Sequence, residues 1–142
     1  MIRLAFPVLL LLSACTPPPA AEVRTEPPAI KLPDSVQQLT ADQAAALIQS
    51  TPDLVIIDLR EDWEIKKEGR IPGSVWADYL NDQRFTEATS KLDPTKPCLL
   101  YCAIGGRSKL AAEKLAAKGF TRVALLSGGY EAWLAAGKPT HK

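Results

Sequence analysis

One short stretch of the sequence places a thiol where a strand gives way to a helix. Cys102 ends an apolar run that begins at Cys98, and an Ala-rich segment free of glycine follows as far as Lys118. The apolar run predicts a buried strand, and the Ala-rich segment, which Gly119 ends, predicts a helix. A helix N-terminus carries partial positive charge, which favours anions and thiolates beside it. The pattern therefore indicates that Cys102 is a reactive cysteine.

The turn between these two elements has the composition of an anion-binding loop. Its two glycines can adopt backbone conformations that point successive N–H groups inwards. Its arginine adds a fixed positive charge at the mouth, and its serine adds a hydroxyl donor. Its alanine and isoleucine are apolar and indicate no particular donor. We expect this loop to bind a small anionic substrate; its members are Ala103, Ile104, Gly105, Gly106, Arg107 and Ser108.

The elements that would position the loop alternate along the chain between strand and helix. Runs rich in apolar and β-branched residues predict strands at 54–58, 74–77, 98–102 and 123–126. Helical patterns, the first opened by a capping box, predict further helices at 44–48, 61–68, 80–92 and 130–136. Such alternation over about a hundred residues predicts a single α/β domain, a parallel sheet with helices on both faces.

Asp58 and Arg60 lie at the carboxyl end of the first of these strands. In α/β folds, polar groups at this edge of the sheet lie near the ligand crevice. The carboxylate of Asp58 would either brace the reactive loop, through backbone N–H groups or an arginine, or cap the helix that begins at Glu61. We therefore take Asp58 and Arg60 as candidate supporting residues of the site.

The loop and several flanking motifs resemble those of rhodaneses. Four residues separate Cys102 from Arg107, so the loop counted from the cysteine to the arginine has six members. Counted in the same way, the loop of the tyrosine phosphatases is one residue longer. Relatives commonly have histidine where this chain has Arg70, so that position departs from the family pattern. The other motifs follow the family order and are Ile57-Asp58-Leu59-Arg60, Gly69-Arg70-Ile71-Pro72-Gly73-Ser74, Leu126-Ser127-Gly128-Gly129-Tyr130-Glu131-Ala132-Trp133 and Ala136-Gly137-Lys138-Pro139.

The resemblance implies a rhodanese-like fold and a sulfurtransferase. Cys102 would take a sulfane sulfur from a small anionic donor such as thiosulfate and carry it as a persulfide. Arg107 and the loop amides would hold the anionic leaving group. A thiophilic acceptor, a thiol or another protein in cells, would then remove the sulfur. No cofactor is expected.

Three alternatives stay open at this point. Rhodanese-like domains also serve as non-catalytic binding or regulatory modules, although these often lack the cysteine. Relatives with a seven-membered loop act as phosphatases or arsenate reductases on oxyanions. A redox role, in which Cys102 is oxidised to a sulfenic acid, is compatible with the same thiolate chemistry.

The N-terminus has the pattern of a bacterial lipoprotein signal. Arg3 precedes a short apolar stretch, and Leu12-Ser13-Ala14-Cys15 resembles the lipobox, in which cleavage occurs before a lipid-modified cysteine. We predict a signal peptide at 1–14, a Pro-rich tether at 15–35 and the rhodanese-like domain at 36–140. Acylated Cys15 would anchor the protein to a membrane of the cell envelope, facing the periplasm, with the outer membrane slightly preferred.

The remaining composition excludes other site classes. The chain has 17 basic and 16 acidic residues and no long basic run, which argues against nucleic-acid binding. Its one histidine, His141, lies in the tail, and no zinc-type cysteine spacing exists, so no metal site is expected. Cys98 and Cys102, on one extended strand, would be roughly 13 Å apart and unable to form a disulfide. Cys98 is therefore expected to be a small buried hydrophobic residue.

Overall fold

The computed structural model describes residues 36–142. The predicted signal peptide, the lipid-attachment residue Cys15 and the Pro-rich tether lie outside the described residues and stay predictions. Among residues 36–142, no helix is long and apolar enough to cross a membrane.

Five parallel strands form one sheet in the order β1-β5-β4-β2-β3. The central strand β4 is buried along its whole length between β2 and β5, as expected for a parallel sheet covered on both faces. The predicted α/β class with a rhodanese-like parallel sheet is confirmed. The strands are β1 Gln37–Leu39, β2 Val55–Asp58, β3 Val75–Trp76, β4 Cys98–Tyr101 and β5 Val123–Leu126.

Five helices cover the two faces of the sheet. Alternate residues of β4 face opposite sides, so Cys98 and Leu100 belong to one core cluster and Leu99 and Tyr101 to the other. The first cluster contains side chains of α3 and α4, and the second contains side chains of α1 and α5. The helices are α1 Ala41–Ser50, α2 Asp62–Glu68, α3 Asp82–Ser90, α4 Gly106–Ala117 and α5 Gly129–Ala135.

Local capping explains where several helices begin. The predicted Thr40–Gln43 capping box is present at the start of α1. The helix predicted at 80–92 is shorter at both ends. It begins only after Asn81, because the Asn81 side chain accepts a hydrogen bond from the Arg84 amide and caps α3 there, and it ends at Ser90. Strand β1 has no counterpart in the sequence prediction. It is a three-residue edge strand with two exposed glutamines, so it lacks an apolar pattern.

The C-terminal tail pairs with the chain just after α2. Arg70 and His141 exchange two backbone hydrogen bonds of 2.8 Å each, and the Trp133 indole donates to the Pro139 carbonyl at 2.8 Å. The backbone of Arg70, the residue that departs from the family pattern, thus pairs with the C-terminal tail.

Candidate active site

Cys102 lies just beyond the carboxyl end of β4, at the centre of the sheet edge. The thiol is buried, with only 1% of the residue exposed. The Gly105 amide donates a hydrogen bond of 3.1 Å to Cys102 Sγ. A backbone N–H aimed at sulfur stabilises negative charge there, because the donor favours the charged form of its acceptor.

The glycine that makes this contact also begins helix α4. Gly105 is its N-cap and has a φ of 115°, in the left-handed region that a side chain would disfavour. Gly106, by contrast, is not among the residues with positive φ. A nest of successive N–H groups needs only one of two neighbouring residues in the left-handed region, and here that residue is Gly105. The thiol faces the first turn of a twelve-residue helix, whose leading amides have no partners within the helix.

The carbonyl groups of the loop point to the N-terminus of α5. The Tyr130 amide donates to the Cys102 carbonyl at 2.8 Å, and the Glu131 amide donates to the Ala103 carbonyl at 3.1 Å. A Cβ atom at Gly129 would lie 2.5 Å from the Cys102 oxygen and 2.4 Å from the Ala103 oxygen. The loop can therefore approach α5 only because residue 129 is glycine. In the sequence this glycine lies between a predicted strand and a predicted helix, and nothing there indicates its contact with the loop.

Arg107 is bound by a glutamate from another element. Its Nη1 and Nη2 atoms donate to the two carboxylate oxygens of Glu64 at 2.7 and 2.8 Å, and the side chains are 19% and 9% exposed. The Glu61 amide donates to the same carboxylate at 2.8 Å. Although burial alone would raise the pKa of Glu64, its hydrogen bonds to Arg107 and Glu61 lower it. The hydrogen bond to Glu64 raises the pKa of Arg107. Both groups are therefore charged at neutral pH.

The sequence gives no local sign of this pair. The charge order of α2, acidic residues first and basic residues last, suits the helix dipole and needs no further explanation. Glu64 is nevertheless buried on the inner face of the helix, whereas its neighbour Trp63 is 59% exposed. A glutamate three residues after the N-cap is typical of a capping box, and nothing nearby in the chain indicates its partner 43 residues away.

Ser108 is buried, and its hydroxyl makes no hydrogen bond within the described part of the chain. A buried hydroxyl usually has a partner, because desolvation without one is costly. Ser108 sits in the first turn of α4, three residues beyond Gly105. Its position and its free hydrogen-bonding capacity are those expected of a donor for a bound group.

Asp58 and Arg60 form a buried ion pair beneath the site. Arg60 Nη2 and Nε donate to the two oxygens of Asp58 at 3.0 and 3.1 Å, and neither side chain is exposed. The Tyr101 hydroxyl donates to Asp58 at 2.7 Å. The guanidinium carbon of Arg60 lies 3.8 Å from the centroid of the Tyr130 ring. Of the two predicted roles of Asp58, capping α2 is wrong, since Glu61 is the N-cap. Asp58 does pair with an arginine, but that arginine is Arg60 and not Arg107 of the loop, so bracing of the loop by Asp58 stays a prediction.

Cys98 is on the same side of β4 as Cys102 but in a different environment. It is buried at the opposite end of the strand, and its thiol lies 3.6 Å from the Arg122 carbonyl oxygen, to which it donates. Burial raises the pKa of Cys98 to about 11. The predicted burial of Cys98 is confirmed, and the thiols of Cys98 and Cys102 are both free.

Residues 36–142 contain no group of three or more His, Cys, Asp or Glu side chains that could hold a metal ion. The arrangement instead offers a buried thiol, N–H donors and one free hydroxyl. Such a site can carry out nucleophilic chemistry on sulfur and stabilise the anion that forms.

Comparisons with known proteins show what this chain is similar to. The model of the rhodanese-like domain matches residues 40–136. The thiosulfate sulfurtransferase GlpE of Coxiella burnetii is 36% identical over 83 residues, which are 58% of this chain and 74% of that protein.

Two solved structures have the same fold. The polysulfide-sulfur transferase homodimer of Wolinella succinogenes is 30% identical, with a TM-score of 0.62, over 75% of this chain and 79% of that chain. A Rhodopseudomonas palustris protein of unknown function, described as a possible tyrosine phosphatase, is 35% identical, with a TM-score of 0.60, over 75% and 86% of the two chains.

Proposed function

The chain belongs to the rhodanese-like family, and we propose that it moves a sulfane sulfur from a donor to a thiophilic acceptor through a persulfide on Cys102. The observation that carries this proposal is the 3.1 Å hydrogen bond from the Gly105 amide to Cys102 Sγ inside a six-membered loop. Named relatives in the same family are sulfurtransferases. No cofactor enters the proposed reaction.

In the first half-reaction, the Cys102 thiolate attacks the outer sulfur of a donor such as thiosulfate. A bond forms between Cys102 Sγ and that sulfur, and the sulfur–sulfur bond of thiosulfate breaks. Its electron pair leaves with sulfite. The Gly105 amide and the N-terminus of α4 favour the thiolate before the attack and the anionic persulfide after it.

The persulfide places a second sulfur further into the loop. The Ser108 hydroxyl, which has no partner among the described residues, is the donor available to it. In the second half-reaction, a thiol or a protein thiolate attacks this outer sulfur and Cys102 leaves as the thiolate. The sequence of two covalent steps is a ping-pong mechanism.

Intact mass spectrometry of the full chain before and after exposure to thiosulfate tests this proposal. The wild type should gain about 32 Da, the mass of one sulfur atom, and cyanide should remove it. The Cys102→Ala variant should gain nothing, whereas Cys98→Ala should gain as the wild type does. A folded wild-type protein with an alkylatable Cys102 but no gain would contradict the proposal and favour a binding module.

A phosphatase activity is the second candidate, because of the likeness to the Rhodopseudomonas palustris protein. The loop from Cys102 to Arg107 has six members, one fewer than the phosphatase loop, which leaves less room for a tetrahedral oxyanion. We therefore expect no turnover of aryl phosphates under conditions in which thiosulfate modifies Cys102.

We further propose that Cys15 carries lipid and that the chain is tethered to a membrane of the cell envelope, facing the periplasm. The lipobox-like motif before Cys15 supports this. In the native host, Cys15→Ala should move the protein from the membrane fraction to the soluble fraction. An unchanged membrane fraction would contradict the lipid anchor.

A further inference from the structure

The two arginines of the site are each paired with a carboxylate. Arg107 donates through Nη1 and Nη2 to Glu64 at 2.7 and 2.8 Å, and Arg60 donates to Asp58 at 3.0 Å. The Glu64 carboxylate is held from a third side by the Glu61 amide. The pair is a fixed part of the site, because both of its side chains are mostly buried.

This pairing changes the charge that a donor meets at the loop. An unpaired arginine would attract a dianion such as thiosulfate strongly, since Coulomb energy scales with the product of the charges. Beside Glu64, the same dianion meets an ion pair whose net charge is zero. The remaining attraction comes from the loop amides and the α4 N-terminus, which together amount to about half a unit charge. Such a site suits a donor of small charge.

Two exposed side chains close to the site residues in the chain are apolar. Ile104, within the loop, is 66% exposed, and Trp63, the neighbour of Glu64 in the chain, is 59% exposed. An inorganic dianion gains nothing from these side chains, whereas the carbon skeleton of an organic thiol can contact them. Charge and apolar surface therefore favour the same class of donor.

We propose that Glu64 is a specificity-determining residue that makes the site prefer persulfides of organic thiols over inorganic dianions. This rests on the proposed sulfurtransferase function. The Cys102 thiolate attacks the outer sulfur of the donor R–S–SH, and the sulfur–sulfur bond of the donor breaks. The electron pair leaves on R–S⁻, and Cys102 becomes the persulfide with the proton of the donor. No oxidant or reductant is required.

The test compares the rate of Cys102 persulfide formation from thiosulfate and from the persulfide of 2-mercaptoethanol, an organic donor whose single ionisable group is the persulfide itself, in the full chain. Glu64→Gln removes the charge but retains the shape of the side chain, and should raise kcat/KM for thiosulfate about tenfold. The value for the organic persulfide should change less than about threefold. Asp62→Asn, which removes the same charge from the same helix without touching Arg107, is the matched control and should change neither value.

A variant that retains the charge separates electrostatics from geometry. Glu64→Asp should keep the wild-type ratio of the two donors even if both rates fall, since Arg107 remains neutralised. A purely structural role of Glu64 predicts the opposite result, with Glu64→Gln and Glu64→Asp slowing both donors equally. That result, or an unchanged donor ratio in folded Glu64→Gln, would overturn the proposal.

A measurement on the wild type keeps the proposal testable if the variants do not fold. Between about 20 and 500 mM salt, the thiosulfate rate should change less than about twofold, because a neutral ion pair gives salt little to screen. A steep fall would show an uncompensated cation and contradict the role of Glu64. If neither donor modifies the wild-type Cys102, the sulfurtransferase function itself fails, which is a different outcome.

Discussion

Cys98 and Cys102 lie on the same side of one strand, and both are buried. The hydrogen bonds of their sulfur atoms nevertheless run in opposite directions. Cys98 lies at the start of β4, where its thiol donates to the Arg122 carbonyl. Cys102 lies just past the other end of the strand, where its sulfur accepts from the Gly105 amide. A carbonyl partner favours the protonated thiol, and an amide partner favours the thiolate. Both thiols are buried, and burial raises the pKa of Cys98, so we attribute the proposed nucleophilic role of Cys102 to the amide donor at its end of the strand.

The largest effect should come from removing one thiol at a time. Cys102→Ala should reduce sulfur transfer to background, because the reaction then has no nucleophile. Cys98→Ala should retain transfer, at a cost of about 1 kcal/mol in the free energy of unfolding for the lost packing. A thiosulfate–cyanide assay and denaturant unfolding measure the two effects. Transfer that survives in Cys102→Ala, or disappears in folded Cys98→Ala, would reverse the assignment of the two thiols.

A substitution at Gly129 should displace the loop around Cys102 without changing the thiol itself. Gly129→Ala places a Cβ atom 2.5 Å from the Cys102 carbonyl oxygen at a φ of 62°. We expect a loss of about 2–4 kcal/mol in unfolding free energy, from backbone strain plus the collision, and a severe loss of transfer.

Gly137→Ala is the matched control for that variant. Gly137 has a similar φ of 64°, but nothing lies within 4 Å of the Cβ position. Gly137→Ala should lower the free energy of unfolding by about 1 kcal/mol, from the backbone strain alone, and should leave sulfur transfer intact. Equal effects of the two substitutions in thermal unfolding and in transfer would show that the contact with the loop is unimportant.

The Cys98 thiol should make the stability of the protein depend on pH. Burial raises the pKa of Cys98 from 9.0 to about 11, so the folded state holds its proton more tightly than the unfolded state. The stability that this contributes is fully present below about pH 9 and is lost as the pH rises through about 11. Between these values, the wild type should lose at most about 3 kcal/mol more than Cys98→Ala. Parallel pH profiles of the two proteins would contradict this.

The smallest effect is expected at Ser108. Its hydroxyl has no hydrogen-bond partner among the described residues, so Ser108→Ala should not lower the free energy of unfolding. If the hydroxyl donates to the persulfide, the variant should slow transfer about tenfold, which corresponds to one hydrogen bond. Stopped-flow measurement of the two half-reactions should place the loss where the persulfide is formed. An unchanged rate would remove Ser108 from the site.

The sequence was sufficient to predict features that depend on local pattern. The strand before Cys102, the glycine turn and the helix after it follow from apolar runs, helix propensity and glycine conformation. The Thr40–Gln43 capping box was predictable for the same reason. These features involve residues that are close together in the chain.

Partnerships between distant residues could not be predicted in this way. Glu64 binds Arg107 across 43 residues, and Gly129 packs under the carbonyl of Cys102. The helix dipole is enough to explain the charge order of α2, so that order gives no indication of the tertiary contact of Glu64. Strand β1 was missed because its three residues carry no apolar alternation and depend on pairing with β5.

The central claim is that Cys102, and not Cys98, carries sulfur. Peptide mass spectrometry with fragmentation between the two cysteines, after brief exposure of the wild-type full chain to a sulfur donor, tests it most directly. The account predicts an added mass of about 32 Da, one sulfur atom, on Cys102 alone. Sulfur found on Cys98, or shared between the two thiols, would contradict it.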